Sequence, residues 1–294
     1  MWCLSWADGG RRVVSGGLDE IVRVWQVAEK KDTKTLEMQS EHHVHRLGVV
    51  SLGANRAGNS IASSSLDGCI RLFQLEQGGV YEKVIAEPGC LELWTVSHHP
   101  QEAIIASGSY SGTLYLRSYA SAPGLERVSS VSVFERQMVR DVKFSYSGNQ
   151  VAAGSQSGGI AVIDAVSCNV ISRRKDLHAG PIRSLAYLGE HVIVTGSEDS
   201  LAKVVDSRTE QQVAVISGHS SWISCVSSPF LNEESFHFST SSLDGFVKLW
   251  DLRNPSNCMF DKKLEEQVWS HCLSRDSKHI AASKSEGQVT LLST

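Results

Sequence analysis

The chain has 294 residues, 41% of them hydrophobic and 20% charged, which is enough apolar content to bury a sizeable core. With 28 Lys and Arg against 32 Asp and Glu, the net charge of −4 excludes a broad basic face for gripping nucleic acid or anionic lipid. The seven cysteines, at 3, 69, 90, 168, 225, 258 and 272, include no Cys-x-x-Cys pair, so neither a thiol-rich zinc site nor a disulfide framework is expected. No apolar run approaches the roughly 20 residues of a membrane helix. The opening stretch Met1 to Asp8 does not read as a secretion signal, and the expected location is cytoplasm and nucleus.

From the N-terminus onward one pattern recurs: small residues, an acidic or Ser turn residue, often Gly, then an alternating apolar run. It first reads Ser15-Gly16-Gly17-Leu18-Asp19 before Ile21-Val22-Arg23-Val24-Trp25, and next Ser63-Ser64-Ser65-Leu66-Asp67-Gly68 before Ile70-Arg71-Leu72-Phe73. Ser107 to Gly112, Gly154 to Gly158 and Gly196 to Asp199 follow. The sixth copy is Ser241-Ser242-Leu243-Asp244-Gly245 before Val247-Lys248-Leu249-Trp250-Asp251, and the seventh Ser283 to Gly287 before Val289. The turn residues stand at 19, 67, 111, 157, 199, 244 and 286, spaced by 42 to 48 residues. That is the period of four short strands with their turns, repeated as propeller blades. Period-two alternation makes the runs strands, and Asp-Gly between them is a hairpin turn. The expected fold is therefore all-β, a single seven-bladed propeller over residues 1–294.

Trp250-Asp251 after Asp244-Gly245, with Gly218-His219 upstream, resembles the WD40 repeat. The resemblance implies a structural tetrad of His219, Asp244 and Trp250 with a Ser from residues 239–242. Blade two keeps His45 and Asp67 but has Phe73 in place of Trp, and blade five keeps His178 and Asp199 with Val205. Most blades are accordingly expected to hold by packing alone. The first blade opens directly on its inner strand and the last ends after its third, which gives 27 strands. The outermost closing strand of the last blade is thus missing from the count, leaving Val289 to Ser293 as an exposed edge. A segment preceding Met1 in a longer chain, an open blade and a strand supplied by a partner all satisfy that count.

Several segments narrow the resemblance: His45 to Leu52, Ile61 to Asp67, His178 to Leu185, His219-Ser220-Ser221-Trp222 and Gln267-Val268-Trp269. They are similar to the WD40 subunit of the Ski (superkiller) complex. The resemblance implies a scaffold without chemistry of its own or any cofactor. Its implied partners are the tetratricopeptide subunit of the Ski complex and that complex's helicase, which serves 3′–5′ mRNA decay by the cytoplasmic exosome. In many eukaryotes such a propeller is also a subunit of the Paf1 transcription-elongation complex. No direct nucleic-acid, membrane or small-molecule partner is implied.

The narrow top face carries the loops that join one blade to the next and the second strand of each blade to the third. Aligning the inner strands places Trp2, Val50, Trp94, Arg140, Arg183, Ser224 and Trp269 at one shared position. Leu66, Tyr110 and Leu243, with Leu18, precede the turns on the same face. Trp and Arg are the residue types most enriched in binding hot spots. The partner-binding set is therefore Trp94, Trp269, Trp2, Arg140, Arg183, Leu66, Tyr110 and Leu243, against the plainer reading that the tryptophans only pack around the channel.

No P-loop, dinucleotide fingerprint or His-Glu-x-x-His motif occurs. Gly108 to Gly112 and Gly154 to Gly158 mimic a nucleophile elbow but have Tyr and Gln where the nucleophile belongs. No catalytic or metal-binding residue is expected. Trp250-Asp251-Leu252-Arg253, with Val205-Asp206-Ser207-Arg208 as a degenerate copy, also matches the Trp-Asp-x-Arg motif of WD40 substrate receptors of cullin-RING ubiquitin ligases. That is the alternative function, resting on Arg253 and Arg208.

Overall fold

A computed structural model describes residues 2–30, 33–76, 79–83, 93–120, 126–209, 211–229 and 236–294. Among them are 27 strands in seven antiparallel sheets, six with four strands and one with three. The strands of each sheet follow one another in sequence, lettered a to d from the channel outward. The seven a strands are Cys3–Ala7, Val49–Ala54, Leu93–His98, Val139–Phe144, Ile182–Leu188, Ile223–Ser227 and Val268–Leu273. They touch one another cyclically, the last against the first, so the sheets are the blades of a closed seven-bladed propeller.

Seven apolar clusters fill the seven gaps between neighbouring blades. Each takes residues from both blades, as where Ile160 and Val162 of blade four meet Ile182 and Leu185 of blade five. This explains the small residues of the repeat. Gly16, Gly108, Gly154 and Gly196 sit on b strands, against Val49, Val139, Ile182 and Ile223 of the following blade. A Cβ on Gly154 would lie 2.7 Å from Ile182 Cγ2, and one on Gly196 2.5 Å from Ile223 Cγ2. A β-branched side chain fills the space that each glycine leaves.

Across the a–b pairing the four glycines, with Ser64, Ser241 and Ser283 at the same position in the other blades, face Cys3, Ser51, Thr95, Asp141, Ser184, Cys225 and Ser270. All seven are small and polar, and they stitch one blade to the next. The Val96 amide donates to Ser51 Oγ at 3.2 Å, the Leu185 amide to Asp141 Oδ2 at 2.9 Å, and the Val226 amide to Ser184 Oγ at 3.1 Å. Thr95 Oγ1 donates to Asp141 Oδ1 at 3.1 Å. The a strands do not pair as a sheet, so these bonds satisfy backbone groups that ladders leave over.

The tetrad forms in blade six with Thr240, not a serine, as its hydroxyl. Trp250 Nε1 donates to Thr240 Oγ1 at 2.8 Å, His219 Nε2 lies 2.8 Å from the same oxygen, and His219 Nδ1 lies 3.0 Å from Asp244 Oδ2. An indole only donates, so the threonine hydroxyl turns its proton to His219 Nε2, and Nδ1–H points at the carboxylate. The expectation that most blades hold by packing alone is corrected. Blade five keeps His178 between Thr195 Oγ1 and Asp199, both at 2.8 Å. In blade two His45 bridges Ser63 and Asp67, and Arg71 adds an ion pair to Asp67 at 2.9 Å. Blade one keeps the other half, Trp25 Nε1 donating to Ser15 Oγ at 2.8 Å, and in blade three the buried Arg117 donates to Ser107 from the tryptophan's register. Only blades four and seven lack the hydroxyl, with Ala153 and Ala282 in its place.

Strand c of blade one, Ile21–Lys30, pairs with Thr33–His43 as a long hairpin. Leu36 and Trp25 of that hairpin pack with Val289 and Leu291 of blade seven. The expected exposed edge at Val289–Ser293 is thus bare only along its backbone. No fourth strand pairs with it among the described residues, but Val289 and Leu291 are half-buried and Leu292 is buried.

Two outcomes follow from this packing. Gly154→Ala should cost about 1–3 kcal/mol by overpacking, and Ile182→Ala should relieve part of that loss in a double-mutant cycle read by urea denaturation. Strict additivity would show that the two side chains do not compete for one space. Burial lowers the pKa of His45 to about 4 and of His98 and His271 to about 3, from an ordinary 6.5. The fold holds each ring neutral, so the unfolded chain takes up protons first, and stability is full above pH 6.5 and falls as pH drops toward 4. His271→Leu, the type of residue found there in other blades (Leu4, Leu52, Leu185), should flatten that slope in urea midpoints measured from pH 7 to 4. An unchanged slope would remove His271 from the acid response.

Candidate functional site

The a strands surround a central channel of about 530 Å³. Trp2, Val50, Trp94, Arg140, Arg183, Ser224 and Trp269 all line it near the start of their strands, at one mouth. The structure therefore brings together the seven positions that strand alignment had placed in one set. Trp2, Trp94, Arg140, Arg183 and Trp269 are half-buried, and Ser224 is buried. Around them the b–c turns present Leu18, Leu66 and Tyr110, exposed by 65%, 39% and 67%, whereas Leu243 is half-buried. Trp2 and Leu18 both close on Gly48, which joins the rim of blade one to that of blade two.

The arginines lie among the rings. Arg140 stacks on Trp94 at 5.2 Å, and Arg183 lies 5.7 Å from the Trp222 ring and 5.9 Å from the Trp269 ring. Trp222, exposed by 44%, escaped the sequence-based set because it precedes the strand, at a position that holds Gly48, Met138 and Pro181 in other blades. Its signal was an exposed aromatic two residues before Ser224. These rings support cations at the mouth, with Trp94 and Trp269 half-buried and Trp222 exposed.

The two guanidiniums are unequally satisfied. Arg183 pairs with Glu198 at 2.8 Å. Arg140 has no ion-pair partner among the described residues, its Nη1 reaches only Met138 Sδ at 4.0 Å, and its buried Nε has no acceptor. Burial, and then the Arg183 charge, lower its pKa from the ordinary value. A buried donor left unpaired costs on the order of 1–3 kcal/mol, more where it is charged. Farther in, Lys143 pairs with Asp141 at 2.8 Å, and at the other mouth Arg56 donates to Tyr146 Oη at 2.6 Å while Arg275 reaches the Arg56 carbonyl. Among the described lining residues the charged groups are Arg56, Arg140, Lys143, Arg183, Arg275 and the single acid Asp141. A chain of net charge −4 thus encloses a basic channel.

The arginines of the alternative motif lie elsewhere. Arg253 and Arg208 follow the c strands, at the opposite end of the blades from Trp94 and Trp269, and each folds back on the aspartate two residues earlier at 2.6 Å. No group of three or more His, Cys, Asp or Glu side chains among the described residues is arranged to hold a metal.

The profile described as "WD domain, G-beta repeat" matches residues 1–26, 36–74 and 210–251. The chain is 28% identical over 213 residues to "WD repeat-containing protein SL1-17" of Schistosoma mansoni, covering 71% of this chain and 67% of that one. It is 28% identical over 201 residues to "WD repeat-containing protein VIP3" of Arabidopsis thaliana, covering 64% and 60%. Against "WD repeat-containing protein 55" of Rattus norvegicus the identity is 24% over 196 residues, covering 67% and 50%. The matches span between half and two thirds of these relatives' own lengths. A chain in the "Crystal Structure of Mitotic Checkpoint Complex" superposes with a TM-score of 0.81 over 100% of this chain and 87% of that one, at 16% identity, a likeness of fold alone. The protein is a seven-bladed propeller, three stretches of which match the WD40 repeat.

Proposed function

We propose that the protein is a non-catalytic scaffold whose top face binds segments of partner proteins, acting as a subunit of the Ski complex, the Paf1 complex or both. The observation that carries the interaction reading is the ring of Trp2, Trp94, Trp269, Arg140 and Arg183 around one channel mouth, widened by Trp222. Large rings beside guanidiniums offer apolar area with polar handles, the make-up of hot spots at protein interfaces. The finer assignment rests on the segments similar to the Ski subunit, from His45 to Leu52 and from His178 to Leu185. Its partners would be the tetratricopeptide subunit with the helicase, or Paf1-complex subunits, in cytoplasm and nucleus.

Affinity purification of the tagged chain from its own cells tests the assignment. Co-purification of a tetratricopeptide protein with a helicase supports the Ski branch, and elongation-complex subunits support the Paf1 branch. Recovery of a cullin adaptor would instead move the function to a ubiquitin ligase. The recovered partner should bind Trp94→Ala or Trp269→Ala more weakly by about 2 kcal/mol, roughly 30-fold, in calorimetric titration. Unchanged affinity in a folded variant removes that tryptophan from the site.

A further inference from the structure

We infer that the top channel mouth is built to take a carboxylate side chain of an acidic peptide segment, held between Arg140 and Arg183. The inference deepens the scaffold reading and rests on it, because it names the chemistry that the top face selects.

Arg140 and Arg183 occupy the same register position on the adjacent a strands of blades four and five. Between two guanidiniums the chain supplies one carboxylate, Glu198, bonded to Arg183. One positive charge is left over, on the residue whose Nε is buried without an acceptor. A monoanion entering beside Arg140 completes the pairing and gives that donor its partner, in the forked geometry that guanidinium and carboxylate share. Neither flanking surface offers such a group: Trp94 covers one side of Arg140, and Asp141 is occupied by Lys143, Thr95 and the Leu185 amide.

The surroundings favour a peptide over a free ion. Leu18, Leu66, Tyr110 and Trp222 form an exposed apolar rim around the mouth, which a small ion would leave unused. A segment with an acidic residue beside apolar ones covers the rim and fills the mouth together. The single uncompensated charge matches a carboxylate better than a doubly charged phosphate. It also disfavours a basic segment, which would face Arg140, Arg183, Lys143 and the surplus charge of the channel.

The test uses the immobilised full chain and four pools of fluorescent, otherwise degenerate peptides with Glu, Gln, Lys or phosphoserine fixed at the centre. The Glu pool should be retained about tenfold over the Gln pool, as expected for loss of a charge-assisted hydrogen bond. Arg140→Gln and Arg183→Gln, each checked for an unchanged circular-dichroism spectrum and melting temperature, should remove that preference. Arg140→Lys, which keeps the charge but not the fork, should restore only part of it. Preference for the Lys pool, or equal retention of Glu and Gln, overturns the carboxylate site, and preference for phosphoserine alone reassigns it to phosphate. If Trp94→Ala leaves the retention of every pool unchanged, the top-face reading itself fails, a result separate from loss of the Glu preference.

Discussion

The structure depends on closing a ring whose members share no ladder of hydrogen bonds with one another. Each blade is a sheet with its own backbone pairing, and between blades backbone bonds are isolated, as from the Val49 amide to the Gly17 carbonyl at 2.9 Å, so side chains do most of the joining. Apolar clusters supply the non-directional part, and a burial of this kind scales with area and does not fix a register. Register comes from the small polar residues of the a strands, several of which bond the backbone of the next blade: Val96 to Ser51, Leu185 to Asp141, Val226 to Ser184. The glycine or serine opposite it is the second half of the device. A larger residue at either place would push the neighbouring strand outward and widen the ring.

That device also shapes the channel. Short side chains around the axis leave an open bore, so the larger residues one position earlier meet at one mouth, and Arg56 and Arg275, five positions later, at the other. At the first mouth these are three tryptophans and two arginines. Glu198 is the only acid bonded to the arginines of the first mouth, while Asp141 is held inside the wall of the ring. The basic channel within an acidic chain therefore follows from the placement of a few residues and does not show in net charge.

Much of this was legible in the sequence because the repeat imposes the same local requirement seven times. The turn aspartates, the alternation in Val247-Lys248-Leu249 and the 27 strands all follow from a period that pattern reading recovers. Alignment of the inner strands likewise placed Trp94, Arg140, Arg183 and Trp269 together, since residues at one register position of a closed ring must meet at one end. Functional equivalence between unlike residues was not legible. Arg117 stands in for tryptophan beside Ser107, and Arg71 reinforces Asp67, because a guanidinium and an indole are both buried donors although no repeat pattern equates them. Trp222 and the long hairpin of blade one were missed for a related reason. The hairpin lies outside the repeating core, and Trp222 stands where other blades have Gly48, Met138 and Pro181, so no shared residue type marks it.

Blades four and seven show how a lost relay is replaced. Both have alanine at the hydroxyl position, but blade four compensates with the cluster around Phe144, Val151 and Ile163 against blade three. Blade seven has its equivalent toward blade six, in Val268, Leu273, Ile280, Ala282 and Leu292 beside Val247, Leu249 and Leu264, but its buried contact with blade one reduces to Leu4, Val13, Cys272 and Ala281. It is held from outside instead. His271 lies 2.8 Å from Ser241 and 2.7 Å from Ser239 of blade six, Trp6 of blade one donates to the Cys272 carbonyl at 2.9 Å, and the blade-one hairpin covers Val289 and Leu291. Local opening is governed by how many buried contacts a unit makes on its own account. The gap between blades seven and one holds the smallest buried cluster of the seven, so it is where the ring is expected to open first.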